Sequence, residues 1–502
     1  MTIVKAKGKI VLFNPSAWTG VSFHKQRFLP LGLMHLAPPL ERLGYAVTII
    51  NQSMERFWKR KLENVLRQET LCFGVTSMTG PQILRAVEVC RLVKKKYPDL
   101  PIVWGGIHAT IKPDQVLDNP FIDIVVIGEG EETFAELVEA LESGSPLRTV
   151  KGIAYKENGQ HFFTEARPFI DLNQHPSPSY HLVDMDSYRY QFMGVGHIHI
   201  LCSRGCIYDC AYCWDPVFFQ KKCRAIEPDK VLDQMGLLVK DYGIRGFIFG
   251  DDNFFIDLDW AHTILEKIVN SELNINIGKM FIRADTLCRL DKNFLDLIVR
   301  AGATRLVIGA ESGSPRILRL IKKRITKEEI IESNRKLLSY PICPHYLFML
   351  GLPTETCEDV MQSVQLAELL MKENPSATRS FNIFSPFPGT ELFELLIKSG
   401  FPEPGKLEDW AKISYRSISS ETTWISPETR KLISILDHAL MCNKQDGRMG
   451  KQKRDDPLPI MMSRIYGPLA RYRVRTMDTR FPVELFFIKA MRRLLGRDRV
   501  RI

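Results

Sequence analysis

Long apolar stretches are missing from this chain. No segment approaches the roughly 18 unbroken apolar residues that a membrane-spanning helix needs. Near the start, Lys5, Lys7 and Lys9 precede only a short apolar run, residues 10–13, which is too brief for the core of a secretory signal. We therefore expect a cytoplasmic protein without a membrane span.

Cysteine spacing typical of a disulfide framework is also lacking. The 502 residues include 11 cysteines, and without a secretion signal these are expected to stay reduced. Most of the cysteines are isolated. Cys72 and Cys90 lie in apolar patterns typical of a core. Five others have no close cysteine in sequence: Cys223, Cys288, Cys343, Cys357 and Cys442. The cysteines between Cys202 and Cys213 form the one cluster, so metal or redox chemistry is predicted there.

Net charge is nearly absent from most of the chain. The total is +10, and residues 444–502 alone contain 16 Lys/Arg and 6 Asp/Glu, which gives the same +10. The preceding residues are balanced, and their 45% hydrophobic and 25% charged content is typical of a soluble enzyme. A length of 502 residues indicates about three structural units.

The basic tail contains a predicted amphipathic helix. Six apolar residues recur at helical spacing after Pro482, with Lys489, Arg492 and Arg493 on the other side: Val483, Phe486, Phe487, Ala490, Met491 and Leu494. We expect the apolar face to pack on the enzyme; peripheral contact with an anionic membrane surface is the alternative. Nucleic-acid binding is not expected, because no recognisable module accompanies the charge.

Strand-like runs alternate with helical patterns over residues 1–150. The predicted strands are 10–15, 47–51, 72–78, 102–106 and 122–128, and the predicted helices are 32–43, 81–97 and 131–142. This alternation predicts a Rossmann-like, doubly wound parallel sheet. Small or polar residues follow the strands: Asn14, Ser16, Ser77, Gly105, Gly106, His108, Gly128, Glu129, Gly130 and Glu131. Ligands bind beyond the carboxyl ends of such strands, so a nucleotide-like ligand is predicted.

Three segments of this domain carry a family resemblance. Trp-Gly-Gly-Ile-His-Ala at 104–109, Gly-Glu-Gly-Glu-Glu-Thr-Phe at 128–134 and Leu-Pro-Leu-Gly-Leu at 29–33 resemble the cobalamin-binding domain found ahead of many radical S-adenosylmethionine (SAM) enzymes. The resemblance implies cobalamin contacts from Asn14, Ser77, Gly105, Gly106, His108, Gly128, Glu129 and Gly130. An Asp-x-His-x-x-Gly motif is missing, as is usual in that subgroup. Alternatively, the domain is retained without a cofactor, and His108 is an ordinary loop histidine.

A second series of β/α units spans residues 191–400. The predicted strands are 197–201, 245–249, 276–282, 304–308, 346–350 and 379–384, and the helices include 228–242, 260–271, 292–301 and 327–339. Six such units predict a partial (β/α)6 barrel. Cysteine, glycine, proline, charged or polar residues follow each strand, so an active site is expected at the carboxyl ends of the strands. Residues 151–190 are expected to be a linker, and residues 401–502 a mainly helical C-terminal region.

The cysteine motif follows the first of these strands. It reads Cys-Ile-Tyr-Asp-Cys-Ala-Tyr-Cys from Cys206 through Cys210 to Cys213. Three thiolates on one loop can hold a 4Fe-4S cluster and leave one iron open. Cys202 is set aside because it lies at the strand end and because the Cys-x-aromatic-Cys ending falls at Cys213. The alternative is a zinc site completed by a histidine such as His197 or His199.

Further motifs make this domain resemble the radical SAM family. They are 203–213, Gly-Asp-Asp-Asn-Phe at 250–254, Arg-Ala-Asp at 283–285, Gly-Ala-Glu-Ser-Gly at 309–313, 348–353 and 386–390. In that family the open iron binds the amino and carboxylate groups of SAM. The resemblance implies SAM contacts from Tyr212, Gly250, Asp251, Asp252, Asn253, Arg283, Glu311 and Ser312. Strand-end capping or surface solvation is the alternative role of the acidic residues among them.

The two resemblances together imply a function. Radical SAM enzymes with a cobalamin domain commonly methylate unactivated carbon or phosphorus, using one SAM for the 5′-deoxyadenosyl radical and another to remethylate cobalt. We therefore predict a methyltransferase; the alternatives are a cobalamin-linked oxidative cyclase and a non-enzymatic cobalamin or redox sensor. The expected partners are a small-molecule, lipid or peptide substrate and an electron donor such as flavodoxin or ferredoxin.

Overall fold

The chain divides into two compact units. A computed structural model describes residues 7–17, 28–66, 69–413 and 422–442, with a few positions between 468 and 478. Unit 1 comprises residues 1–189, 387–389 and 403–413, and unit 2 comprises 190–386, 390–402 and 414–502. The predicted basic amphipathic helix lies outside the described residues. Within them, no helix has the length and apolarity required to cross a bilayer.

Unit 1 is built on a seven-stranded sheet. Its strand order is β2-β1-β3-β4-β5-β6-β7, and the first five strands run parallel. The strands are β1 (Lys9–Asn14), β2 (Ala46–Asn51), β3 (Thr70–Thr76), β4 (Ile102–Gly105), β5 (Ile124–Val126), β6 (Ile153–Glu157) and β7 (Gln160–Phe163). The helices are α1 (Leu31–Arg42), α2 (Trp58–Val65), α3 (Gln82–Lys96), α4 (Ile107–Ile111), α5 (Pro113–Leu117) and α6 (Glu131–Ser143). The predicted doubly wound parallel sheet is confirmed.

The order of the strands fixes where unit 1 can bind a ligand. β1 lies between β2 and β3, so the direction of winding reverses between β1 and β3. Its residues Ile10 to Phe13 are fully buried, as expected for a parallel strand covered on both faces. The crevice for a ligand in such a sheet opens where the winding reverses, at the carboxyl ends of the strands. Asn14 and Ser77 lie at those two ends.

The segment expected to be a linker, residues 151–190, is structured differently. β6 and β7 form an antiparallel hairpin that continues the sheet beyond β5. Its two-residue turn is Asn158-Gly159, with φ values of 50° and 77°. Asn-Gly is the preferred turn for a tight hairpin, because both residues tolerate positive φ.

Unit 2 contains six parallel strands and an antiparallel edge strand. The order is β16-β15-β14-β13-β12-β9-β8, an open, curled half-barrel. The strands are β8 (Tyr190–Phe192), β9 (Val195–Ile200), β12 (Gly246–Phe249), β13 (Asn276–Ile282), β14 (Arg305–Glu311), β15 (Cys343–Leu350) and β16 (Thr378–Ile383), and a separate small pair is β10 (Ser203–Arg204) with β11 (Arg224–Ala225). The predicted partial barrel is confirmed.

Helices follow the strands of unit 2, as β/α units require. They are α7 (Asp215–Phe218), α8 (Pro228–Tyr242), α9 (Leu258–Asn270), α10 (Ala284–Arg289), α11 (Lys292–Arg300), α12 (Pro315–Leu320), α13 (Lys327–Lys336), α14 (Cys357–Glu373), α15 (Glu391–Lys398) and α16 (Pro427–Cys442). α16 packs Leu432, Ile433 and Leu436 against Val360 and Val364 of α14. From the region predicted to be mainly helical, the short 3₁₀ helix Leu407–Lys412 belongs to unit 1.

Candidate functional site

The three motif cysteines lie on one loop, between β10 and α7 at the carboxyl end of β9. Cys206, Cys210 and Cys213 are free thiols and half-buried. Burial raises the pKa of Cys206 to about 11 and raises the pKa of Cys213 well above its usual value. Metal binding would draw the proton from such thiols, since the thiolate is the ligand form. The loop therefore gathers three latent metal ligands.

Ligand spacing distinguishes a cluster from a zinc ion. Among the described residues, one group places three possible metal-ligand atoms within 4.8 Å of one another, namely His35, Glu131 and His175 of unit 1. The three motif cysteines do not form such a group. At least one pair of the three thiol sulfurs is thus more than 4.8 Å apart, which exceeds the roughly 3.8 Å that tetrahedral Zn–S bonds of about 2.3 Å impose. His197, a possible fourth zinc ligand, is instead hydrogen-bonded to Val195 O (2.9 Å) and Asn276 Oδ1 (2.6 Å). The loop fits a multi-iron cluster better than a single ion.

Arg283 supports the cysteine loop from β13. Its guanidinium lies 3.8 Å from the ring centroid of Tyr208, which stands between two motif cysteines. It also donates to Asp285 Oδ1 (3.0 Å) and to the carbonyl of Lys323 (2.7 Å). These contacts make Arg283 a support for the loop, and its contact with SAM stays a prediction.

Asp251 and Asn253 follow β12 and carry unsatisfied polar atoms. Asp251 Oδ1 accepts from the backbone N–H of Cys202 (3.0 Å) and the hydroxyl of Ser203 (2.6 Å), and burial raises the pKa of Asp251 to about 7. Its Oδ2 and both amide atoms of Asn253 are buried and meet no partner among the described residues. Each such atom costs about 1–3 kcal/mol unless a ligand satisfies it. The end of β12 therefore fits a polar ligand such as SAM.

The other two residues of this segment have protein contacts. The N–H of Gly250 donates to Ile200 O (2.8 Å) and continues the sheet ladder. Asp252 shares a hydrogen bond with the carboxyl of Asp215. Burial, and then the nearby Asp252, raise the pKa of Asp215 to about 8. A carboxyl group with a raised pKa therefore lies beside the cysteine loop.

Glu311 is the centre of a buried ionic network at the end of β14. It accepts from the hydroxyl of Tyr212 (2.9 Å) and from Lys323 Nζ (2.9 Å), and neither Glu311 nor Lys323 is more than 7% exposed. Glu311 has a φ of 62°, a costly conformation that persists where the surrounding structure imposes it. Gly309 leaves the space: a Cβ there would lie 2.4 Å from Glu311 Oε1 and 2.7 Å from Lys323 Nζ. The network fixes one carboxylate beside the cysteine loop.

Sequence motifs missed Lys323, and they did not reveal the protein contacts of Ser312. Lys323 belongs to no motif, and its proximity to Glu311 follows only from the path of α12. Ser312 is fully buried; its hydroxyl is 3.0 Å from Ser363 Oγ on α14 and accepts from the N–H of Ser314 (3.1 Å). Its described contacts are structural, and its predicted contact with SAM stays a prediction.

Gly205 is required by the geometry of the cysteine loop. Its φ is 85°, and a Cβ would lie 2.3 Å from the carbonyl oxygen of Lys222. We expect Gly205→Ala to lower the free energy of unfolding by more than ~2 kcal/mol and to reduce iron content, measured by urea denaturation and metal analysis. Gly236→Ala in α8 is the matched control, because its Cβ would meet only Leu273 at 4.0 Å and alanine is the better helix former. Equal iron in both variants would contradict the requirement.

Glu355 makes the stability of unit 2 depend on pH. Its Oε2 accepts from the N–H groups of Gly351 (2.5 Å) and Leu352 (3.2 Å), and burial raises its pKa from 4.5 to about 8. The folded protein keeps this proton while the unfolded chain loses it, so stability is full below pH 4.5 and falls as the pH rises toward 8. Glu355→Gln should remove on the order of 3 kcal/mol of this loss between pH 5 and pH 8, measured by urea denaturation. Parallel pH profiles for both proteins would contradict it.

In unit 1, Ser77, Gly106 and His108 are brought together at the ends of β3 and β4. Gly106 has a φ of 94°, and a Cβ there would lie 2.8 Å from the carbonyl of Ser77, which accepts from the N–H of His108 (3.4 Å). Gly105 ends β4, and there the nearest atom to a Cβ would be on Val126, at 3.9 Å. Close backbone packing explains why residue 106 is a glycine, and the open space beside Gly105 suits a ligand.

His108 is a buried, neutral histidine. Its Nδ1 is 2.9 Å from Thr79 Oγ1, and its ring packs edge-on against Trp410 at 5.4 Å. Burial, and then Lys112, lower the pKa of His108 to about 3. Its Nε2 and the hydroxyl of Ser77 are buried and without a partner in the described residues. These two orphaned polar atoms fit a polar cofactor.

The remaining predicted cobalamin residues lie at the same edge of the sheet. Asn14 donates to Asn51 Oδ1 (3.2 Å). Gly128 donates to Thr110 Oγ1 (3.0 Å), with a φ of 80°. Glu129 accepts from the N–H of Ile170 (3.1 Å), and Gly130 precedes α6. The sheet therefore collects them at its carboxyl end, as predicted.

Known protein families match both units. A family model of the radical SAM superfamily matches residues 200–367, and a model of the B12 binding domain matches residues 24–138. Two solved structures share the fold: the cobalamin-dependent SAM radical enzyme OxsB, with TM-score 0.71 and 17% identity over 99% of this chain and 76% of that chain, and the methyltransferase TsrM of Kitasatospora setae, with TM-score 0.66 and 22% identity over 78% and 76%.

Curated relatives extend over most of the chain. An uncharacterized methyltransferase of Pyrococcus horikoshii is 31% identical over 73% of this chain and 78% of its own length. Cytidylyl-2-hydroxyethylphosphonate methyltransferase of Streptomyces wedmorensis is 27% identical over 79% and 83%, and anaerobic magnesium-protoporphyrin IX monomethyl ester cyclase of Cereibacter sphaeroides is 27% identical over 77% and 63%. This chain belongs to the radical SAM superfamily and carries a B12 binding domain.

Proposed function

We propose that this enzyme is a cobalamin-dependent radical SAM methyltransferase that acts on an unactivated carbon. The observation that carries the proposal is the presence, in one chain, of a three-thiol loop on a half-barrel and a cobalamin-type sheet with an unsatisfied polar edge. The methyltransferase names of several relatives support the same choice.

The chain offers ligands for all three cofactors. Cys206, Cys210 and Cys213 would hold the 4Fe-4S cluster, and Asp251, Asn253 and Glu311 would bind SAM. Tyr212, Gly250, Asp252, Arg283 and Ser312 complete the predicted SAM set. When bound, the cluster supplies the electron that cleaves SAM, and cobalamin supplies the methyl group.

The protein's own contribution at the SAM site is to hold geometry and charge. Lys323 Nζ contacts Glu311 Oε1 at 2.9 Å and holds this side chain in place, so that its carboxylate can accept hydrogen bonds from a ribose or an ammonium group. Asp251 ties the start of the cysteine loop to β12 through Cys202 and Ser203. Arg283 braces the same loop from β13. A site held at three points needs little reorganisation when its cofactors bind.

The cobalamin edge would use Asn14, Ser77, Gly105, Gly106, His108, Gly128, Glu129 and Gly130. The neutral Nε2 of His108 and the hydroxyl of Ser77 can exchange hydrogen bonds with corrin amides. Gly105 gives the backbone room for close approach. The unsatisfied atoms favour a filled site over a domain retained without cofactor, because burial without a partner is costly.

A cobalamin-linked oxidative cyclase is the second candidate. The relatives include anaerobic magnesium-protoporphyrin IX monomethyl ester cyclases, which align over a similar share of this chain. Either enzyme needs a single-electron donor such as a flavodoxin or ferredoxin. A contact of the basic tail with a membrane surface also stays a prediction.

The test is product analysis of anaerobically reconstituted protein with SAM and a low-potential reductant. A methyltransferase releases 5′-deoxyadenosine and, only when cobalamin is added, S-adenosylhomocysteine as well. A cyclase releases 5′-deoxyadenosine without S-adenosylhomocysteine, even when cobalamin is added. Absence of both products would exclude either enzyme and favour a sensor.

A further inference from the structure

We propose that the lower part of the half-barrel in unit 2 binds an anionic oxygen group of the substrate, a carboxylate or a phosphoryl group, through Lys279 and Arg305. This inference rests on the proposed function, since it names the class of substrate that the SAM site would modify. Neither residue belongs to a sequence motif of the family resemblance.

Alternation along the strands puts both cations on the face that carries the candidate site. Lys279 on β13 and Arg283, which directly follows the strand in extended conformation, lie four residues apart and so share a face. Arg283 contacts Tyr208 of the cysteine loop. On β14, Arg305 shares a face with Gly309, which adjoins Glu311 and Lys323. Four residues of strand span about 13 Å. The two cations therefore lie about 13 Å along the strands from the SAM-site residues.

Lys279 and Arg305 have no anionic partner within the described ranges. No ion pair or hydrogen bond joins either side chain to an Asp or Glu, and the Nε of Arg305 is buried without an acceptor. Burial, and then the charge of Arg305, lower the pKa of Lys279 to about 8. The titratable neighbours on β9, His197 and His199, have their pKa lowered by burial and by Lys279. Every ionisable group that acts on Lys279 here is thus basic.

Aromatic rings of β8, the edge strand, stabilise the positive charges of Lys279 and Arg305 only in part. Lys279 Nζ is 5.1 Å from the ring centroid of Tyr190 and 5.7 Å from that of Phe192, and the guanidinium carbon of Arg305 is 4.5 Å from the Phe192 centroid. Ring faces attract cations but accept no strong hydrogen bond. The Nε–H of Arg305 still has no oxygen acceptor among the described residues.

The chemistry of the pair specifies the ligand class. A guanidinium presents a planar set of donors that matches two oxygens of a carboxylate or phosphate, and an ammonium adds a point charge beside it. A neutral or cationic substrate group would leave two half-buried like charges together. An oxyanion satisfies both at once, and it would anchor one end of the substrate while the other end reaches the SAM site.

The test uses acylation of the intact, reconstituted protein by an activated acetyl ester at pH 7.5, read out residue by residue with mass spectrometry. Inorganic phosphate and propionate are the two probes, compared with sodium chloride at equal ionic strength. We expect either probe to slow labelling of Lys279 at least about threefold, because a bound anion keeps the ammonium protonated. Lys292, an exposed lysine on α11, should label at the same rate throughout. The probe that slows the labelling of Lys279 more identifies the substrate group as phosphoryl or carboxylate.

A variant provides the second measurement. Arg305→Gln should abolish the protection of Lys279 by the anions, while Lys292→Met should retain it. Protection that survives Arg305→Gln would overturn the assignment. Equal labelling rates of Lys279 in phosphate, propionate and chloride would overturn it as well. Failure of the proposed function is scored separately, by SAM products of the wild-type enzyme. Normal SAM products without protection would defeat only this inference, and protection without SAM products would defeat only the proposed function.

Discussion

Replacing Cys206, Cys210 and Cys213 together by alanine is expected to lower bound iron from about four atoms per chain to background and to abolish SAM cleavage. In the proposed site each thiolate would hold one iron of the cluster, and the motif contains no further cysteine that could replace one of the three. Iron analysis, the visible absorbance of the reconstituted protein and the yield of 5′-deoxyadenosine measure the effect.

Two other cysteines provide the controls for this prediction. Cys357 is half-buried on α14 and contacts Thr429, so Cys357→Ala should retain iron and activity. Cys223 is close enough to Cys206 for each charge to affect the other, but it lies outside the motif. If Cys223→Ala also emptied the site, or if the triple variant kept its iron, the assignment of the three ligands would be wrong.

Lys323→Met is expected to lower the free energy of unfolding by about 3–5 kcal/mol, because it leaves the buried carboxylate of Glu311 without its counter-ion. Methionine has similar length and keeps the packing, so the loss is electrostatic. Urea denaturation measures the loss of stability. The same variant should need a higher SAM concentration for half-maximal activity, because Glu311 would no longer be fixed.

The neighbouring lysine is the matched control. Lys322 is exposed and pairs with Glu391 at 2.6 Å, and surface pairs contribute only about 0–1 kcal/mol. The double variant Glu311→Gln with Lys323→Met should recover part of the stability, because it removes both charges. Similar losses for Lys322→Met and Lys323→Met would refute the role of the buried pair.

The sheets were predictable because their signals are local. Apolar runs such as residues 10–13, followed by small or polar residues, mark parallel strands and their carboxyl ends. Strand boundaries moved by a residue or two in most cases, while α8 matched its predicted ends. The half-barrel followed from the number of β/α units. Asn158-Gly159 also carried a clear hairpin signal that the expectation of a linker overlooked.

The partners of the site residues were not predictable, because they depend on long-range packing. Lys323 meets Glu311 only after α12 has turned the chain back, and Arg283 meets Tyr208 only through the curvature of the sheet. The proximity of Lys279 and Arg305 requires the register of two neighbouring strands. No spacing in a single sequence encodes these distances.

The return of residues 403–413 to unit 1 has a consequence for biosynthesis. Trp410 is fully buried, covers His108 and donates to Gln115, yet a ribosome reaches it only after translating the whole half-barrel. At 5–20 residues per second, the roughly 220 intervening residues take on the order of 10–45 s. During that interval His108 lacks the cover that Trp410 provides, so completion of unit 1 must wait for the translation of the half-barrel.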